Sequence, residues 1–332
     1  MSGISLFHPK ISHCSREQKA LAEAKPGRLD RFVDGHSHGG LHNRPDLVFF
    51  WPQNPVLLDP KARRAQITDA TMSMVKMLKS TSANCGQHRL VGPIFDGHTF
   101  GAYRAMDVDA LDGNDLYDFE SSLRLDWSVM HEAGFYTIAE YRSSIGTLST
   151  KYYPKPDTIS LPADCVILPA HAAGMSGNKL LETIYDISTE AFKDNLFYTE
   201  IGLPVFKSLH GKTSIQGPDT FIYLARVGKS YAGFVYAFYD RPRNALIAKS
   251  IAVRPSYRRC YLARAMMATL IHDVCRLSVC DPAKRSPKLV HAYYHCDNVS
   301  RYLAQSPDIV DLKNLRSYRL FAYDKGQSVH DV

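Results

Sequence analysis

The sequence predicts an α/β (α+β) protein: a mixed, mostly antiparallel sheet flanked by helices. Two observations carry this. Residues 220–227, 231–240 and 245–253 are strand-like runs separated only by Gly228-Lys229-Ser230 and by a turn holding Pro242 and Asn244, so three adjacent antiparallel strands follow. Directly after them Ala263, Met266, Met267, Leu270, Ile271 and Val274 recur at helical spacing, while Arg264, Thr269, His272, Asp273 and Arg276 fall elsewhere. That pattern is an amphipathic helix with one core face.

The remaining elements extend the pattern in both directions. Residues 1–45 are rich in Gly, His, Ser and charge without sustained periodicity, and read as an irregular lead-in. Within them His36, His38 and His42 cluster, but no Cys or carboxylate joins them at a recognised spacing, so a polar loop is expected rather than a metal site. Residues 70–78 have helical composition and 88–95 read as a short buried strand. Residues 122–133 read as a helix stopped by Gly134, and 136–141 as a strand. The run 149–164 holds three prolines, which makes 151–163 the expected linker between a first half, 46–150, and a second, 164–326. The second half continues with a strand at 164–170, a helix at 178–195, a strand at 289–298, a short helix at 299–305 and a closing strand at 316–323. The last four elements of the chain repeat the order helix, strand, helix, strand of the first half, which points to a diverged internal duplication.

Composition narrows the class. A chain of 332 residues, 45% hydrophobic and 22% charged, can bury a sizeable core. The net charge of +7 is scattered rather than gathered in a tract, so it signals a polyanionic small molecule at least as well as nucleic acid, and a nucleic-acid partner is not expected. Seven cysteines, an odd number with no C-x-x-C pair, suggest free thiols in a reducing compartment. His8 and Pro9 interrupt the only apolar run at the N-terminus, unlike a signal peptide, and no run approaches the length of a membrane span. A cytoplasmic protein without a membrane partner is expected.

The most informative stretch is IAVRPSYRRCYLARAMM, residues 251–267: an extended segment, a turn crowded with arginines, then the start of a helix. Unpaired N–H groups and a partial positive charge at a helix N-terminus favour an anion, and Arg258 and Arg259 sit awkwardly there unless one is present. This stretch resembles the GNAT superfamily of acyl-CoA-dependent N-acyltransferases. In that family a strand ending V-x-P leads through a turn R-x-x-G-x-G/A into a helix whose N–H groups hold the coenzyme A pyrophosphate. Val253-Arg254-Pro255 matches the strand end, and Arg258, Arg259, Cys260, Tyr261, Leu262 and Ala263 cover the turn, with Tyr261 where glycine is expected. Residues 191–206 and 316–324, and in the first half 90–104 and 130–135, are similar to a bacterial subgroup of the same family.

The resemblance implies a GNAT-type sheet, two GNAT-like halves with the first one degenerate, and acetyl-CoA or another acyl-CoA as co-substrate, with no metal. It implies a small-molecule or peptide amine as acceptor, or an acyl carrier protein as the source of the acyl group. It nominates Ile251, Ala252 and Val253 as main-chain contacts of the pantetheine arm, with Asn298 and Ser300 beside it, although Asn298 also reads as an ordinary helix cap. No carboxylate lies in 245–253, where a general base frequently sits in this family, so His295 is the candidate base, against a buried and hydrogen-bonded histidine. Tyr302 is the candidate general acid, against packing. Phe192, Asn195 and Tyr198 are candidates for the substrate wall. Tyrosine at 261 keeps its N–H, and a right-handed helical φ is open to it, so coenzyme binding survives if the ring turns away.

The first half has no glycine-rich turn ahead of its helix and is expected to bind no coenzyme. G-x-S-x-G, P-loop and H-E-x-x-H motifs are absent, so hydrolase, nucleotidase and zinc-protease readings lack support. Two readings remain: an acyltransferase acting through its second half, or a partner or ligand-binding protein that keeps the fold without turnover.

Overall fold

A computed structural model describes residues 4–7, 47–52, 54–59, 62–84, 89–93, 105–108, 123–151, 153–193, 195, 202–210, 217–276, 287–295 and 301–324. The expected His36, His38 and His42 loop lies outside these residues, as do Tyr198, Asn298 and Ser300. Two compact units emerge. The first comprises residues 1–141, 193–200 and 316–332, the second 142–192 and 201–315.

The first unit contains β1 (Ile4–Phe7), β2 (Leu47–Pro52), α1 (Pro55–Leu58), α2 (Arg64–Asn84), β3 (Arg89–Gly92), β4 (Ala105–Asp107), β5 (Arg124–Leu125), α3 (Trp127–Glu132) and the start of β6 (Tyr136–Thr147). Its strand order is β1-β2-β3-β12-β6, where β12 is Val310–Tyr323. The lead-in is therefore not wholly irregular, because Ile4–Phe7 forms an antiparallel ladder with Phe49–Pro52. Asp126 caps α3 by accepting from the N–H groups of Ser128 and Val129. The core is aromatic: Phe50, Trp127, Phe135 and Phe321 are buried together with Leu57, Ile67, Met74 and Leu78.

The second unit holds the rest of β6, then β7 (Cys165–Pro169), α4 (Gly177–Phe192), α5 (Leu203–His210), β8 (Thr220–Val227), β9 (Ser230–Asp240), β10 (Ala245–Val253), α6 (Leu262–Arg276), β11 (Lys288–His295) and α7 (Arg301–Ala304). Its strands lie in the order β6-β11-β10-β9-β8-β7. The three antiparallel strands are as expected. Gly228, at φ 57, closes the β8–β9 hairpin, and Asn244, at φ 51, sits in the next turn. Residues of α6 pack on one face of this sheet with Val235, Ala237, Leu246 and Ala248. Neighbours of opposite parity, Ile222, Leu224, Phe234 and Ile247, are buried on the other face, and α4 packs against β9 and β10.

The units part between Tyr141 and Arg142, inside β6, and again between Leu315 and Arg316, inside β12, rather than at 151–163. The proline-rich run is not a free tether. Leu148 and Tyr153 are buried in the core of the second unit, and Ile159 and Leu161 pack against it.

Candidate functional site

The turn between β10 and α6 begins with Arg254, whose N–H donates to the Ala232 carbonyl (2.8 Å) and whose guanidinium pairs with Glu190. A single 3-10 turn, Pro255–Tyr257, follows. Arg259 and Tyr261 then take left-handed backbone conformations, φ 67 and φ 57. Tyr261 does not use the right-handed conformation open to it. It adopts the one a glycine would take, at a strain of about 1 kcal/mol. The residue is 62% exposed, and its carbonyl accepts from Ala265 N–H (2.9 Å) as α6 starts. Leu262 is buried, Ala263 half-buried, and no acidic residue lies in the first turn of α6. Two non-glycine residues at positive φ within three positions mark a turn held in place by its surroundings, a pattern that gathers at ligand sites.

The arginines divide. Arg258 donates to the Ala191 carbonyl at the end of α4 (2.7 Å) and, more weakly, to the Val253 carbonyl (3.4 Å). A cation is favourable at that helix end, so the fold supplies Arg258 with partners of its own. Arg259 is exposed and makes no side-chain bond to any described residue. Cys260 is half-buried, its thiol 3.7 Å from the Arg258 carbonyl.

Below the turn the sheet forks. The parallel ladder of β10 with β11 runs from Ala245↔Lys288 to Ala248↔His291, while β10 continues to Val253 and β11 to His295 beyond that ladder. The antiparallel ladder with β9 does continue, through Ile251↔Val235, Ala252↔Phe234 and Val253↔Gly233. Because Arg254 donates across to β9, the alternation of a strand turns the main-chain groups of Ile251 and Val253 the other way, into the fork. A pantetheine arm carries amides that such groups can bond. The residues present therefore fit the coenzyme: main-chain groups of Ile251 and Val253 turned into the fork beyond the last rung with β11, the Val253 carbonyl meeting only a long contact from Arg258 among the described residues, and a turn whose Tyr261 is mostly exposed.

At the last rung His291 is 4% exposed, and its Nε2 has no hydrogen-bond partner among the described residues. Burial holds its pKa down at about 4. His295 ends β11, on the same parity. Tyr302, in α7, is 65% exposed, and its hydroxyl accepts from Arg301 (3.2 Å). Phe192 is half-buried at the end of α4, and Asn195 is exposed. Lys249, at the crotch of the fork, shows in the sequence only as the one charge of an otherwise apolar strand and is not among the expected site residues. A separate open groove of about 530 Å³ lies beside the turn, lined by Lys179, Asp186, Glu190, Tyr231 and Arg254; no residue of β10 borders it.

The first unit has a counterpart, since β2 and β3 are also parallel (Leu47↔Arg89 to Phe49↔Val91) and joined through a helix, α2. There the space is filled. The Phe50 ring lies against Gly92, where a Cβ would come within 2.9 Å of it. Ahead of α2, buried Arg124 donates to the carbonyls of Asp59 and Ala62.

No family model matches the chain, and no curated protein matches it. Solved structures do. A GCN5-related N-acetyltransferase from Sphaerobacter thermophilus is similar over 97% of this chain and 95% of its own, at 11% identity and a TM-score of 0.49. A tandem GNAT protein from the clavulanic acid biosynthesis pathway is similar over 99% of this chain and 100% of its own, at 9% identity and a TM-score of 0.46. A GCN5-related N-acetyltransferase from Kribbella flavida is similar over 97% and 99%, at 12% identity and a TM-score of 0.37.

Proposed function

We propose that the chain is a cytoplasmic acyltransferase that moves the acyl group of acetyl-CoA, or of another acyl thioester, to an amine of a small molecule or peptide through its second unit. The fork between β10 and β11, with a strained turn at its open end, is the observation that carries this reading. In it Ile251 and Val253 orient the thioester arm by main-chain bonds, the N–H groups from Cys260 to Ala263 and the guanidinium of Arg259 face the pyrophosphate, and Arg258 braces the turn from α4. The co-substrate brings an activated carbonyl. The chain must take a proton from the attacking amine, the role we give His295, and return one to the leaving thiolate, the role we give Tyr302. The filled counterpart in the first unit supports a structural part for that half.

A second reading, a non-catalytic partner or ligand-binding protein, draws on Arg258, two of whose nitrogens already donate within the fold. Calorimetric titration with coenzyme A separates the two. Wild type should bind, and Arg259→Ala should bind at least about tenfold more weakly, since a charge-assisted bond contributes roughly 1.5–3 kcal/mol. No heat with wild type leaves the binding-protein reading. Where turnover is measured by thiol release, His295→Gln should remove the rising limb of the pH profile and keep coenzyme affinity; an unaltered profile takes the base role from His295.

A further inference from the structure

Lys249 is the only charged residue in β10, and it occupies an unusual position. The β9 ladder passes from Ala248↔Ala237 directly to Ser250↔Tyr236, so Lys249 is the extra residue of a β-bulge. It also lies one residue past the last rung with β11, so its main chain has a register partner on neither side. A bulge re-aims a side chain, and here it sends the ammonium to the sheet face of Tyr236, with Nζ 5.9 Å from that ring's centroid. Ser250 shares the Tyr236 rung and so the same face.

Tyr236 has the opposite parity to Val235 and Ala237, which pack against α6, so the three side chains lie on the face away from α6. On α4, which packs against β9 and β10, Ser188 is 4% exposed and its Oγ has no hydrogen-bond partner among the described residues. Burial of the amine lowers its pKa, and no carboxylate among the described residues pairs with it. A half-buried cation without a counter-ion is costly, and a ring face offsets only part of that cost. What would complete the group is an acceptor of two or more hydrogen bonds carrying negative charge.

We propose that Lys249, with the hydroxyl of Ser250 beside it, receives a carboxylate of the acyl acceptor, so that the acceptor is an amine that also bears a carboxylate. This rests on the acyl-transfer reading for its meaning, because the crotch of the fork is where the reacting carbonyl would lie. The contact itself is independent of that reading and is testable alone.

The test uses the full chain and succinate as probe, with sodium chloride at matched ionic strength as control. Succinate should raise the melting temperature beyond chloride in wild type and in Lys249→Arg, but not in Lys249→Met or, should that variant fold poorly, Lys249→Gln. Absence of a succinate effect in wild type, or its persistence in the uncharged variants, overturns the proposal. Coenzyme A added in a separate arm reports on the acyl-transfer reading, so the two ideas fail separately. With turnover in hand, the preference for β-alanine over ethylamine, as a ratio of kcat/KM, should fall at least about tenfold in Lys249→Met. An unchanged ratio, or acylation of Lys249 itself seen by peptide mass spectrometry, overturns it as well, because the amine would then belong to the chemistry rather than to recognition.

Discussion

Tyr261 shows how far one residue's conformation can be read from its neighbours. The motif locates the glycine position, but the sequence alone leaves both φ wells open to tyrosine, and the right-handed well would make glycine there destabilising by about 1 kcal/mol. The observed φ of 57 reverses that expectation. Tyr261→Gly releases left-handed strain of about 1 kcal/mol and adds unfolded-state entropy of similar size, so stability in urea should stay within about 1 kcal/mol of wild type. A clear loss beyond that would mean the exposed ring contributes packing. His291 makes a second residue-scale prediction. Its imidazole is neutral when folded down to about pH 4 but protonates near pH 6.5 when unfolded, so between these values the unfolded chain binds more protons. Stability should fall as pH drops from about 6.5 to about 4, by about 3 kcal/mol in all, and then level off. The difference in stability between wild type and His291→Phe, followed by denaturant titration at several pH values, should show that slope. A constant difference would mean that the histidine titrates alike in both states.

At the scale of elements, the middle of the second unit was legible and the fork was not. Strands β8 and β10 span the residues that alternation and turn chemistry assign to them, and β9 starts one residue earlier, because Gly228 and the Pro242–Asn244 turn punctuate the sheet locally. The bulge at Lys249 and the end of the β10–β11 ladder are properties of pairing between strands, for which a single strand carries no periodicity signal. Helix α5 and the first half of β12, where exposed and half-buried residues alternate among charges, lie outside the elements the sequence predicts. The candidate site was legible as a motif at 253–263, while its working geometry depends on β9. Gly233 faces Val253 across that ladder, and a Cβ there would lie 2.6 Å from the Ala252 carbonyl oxygen. Gly233→Ala should therefore cost about 1–3 kcal/mol and push the end of β10 outward, weakening coenzyme binding as well as lowering the melting temperature. Full coenzyme affinity in that variant would detach the end of β10 from the binding site.

At the scale of the whole molecule, the division of the chain departs from the order of its halves. A fragment cut at the proline-rich run, 164–326, omits Leu148 and Tyr153 from the core of the second unit and the main-chain bond from Leu148 N–H to the Pro287 carbonyl (2.9 Å). A fragment 142–315 keeps them. Circular dichroism melting should be cooperative for 142–315 and broad or absent for 164–326; the reverse result would return the boundary to the prolines.

The closing strand has a consequence for biosynthesis. Residues from Arg316 onward belong to the first unit, where Phe321 is part of the aromatic core and pairs with Gly92, and Tyr323 pairs with Leu90. A ribosome makes those residues after residues 142–315. The N-terminal unit must therefore wait for residues 142–315 to be made before its sheet can be completed, a delay of roughly 10 to 40 s at ordinary elongation speeds. During that time its unfinished strand edge is a substrate for chaperones rather than a folded domain.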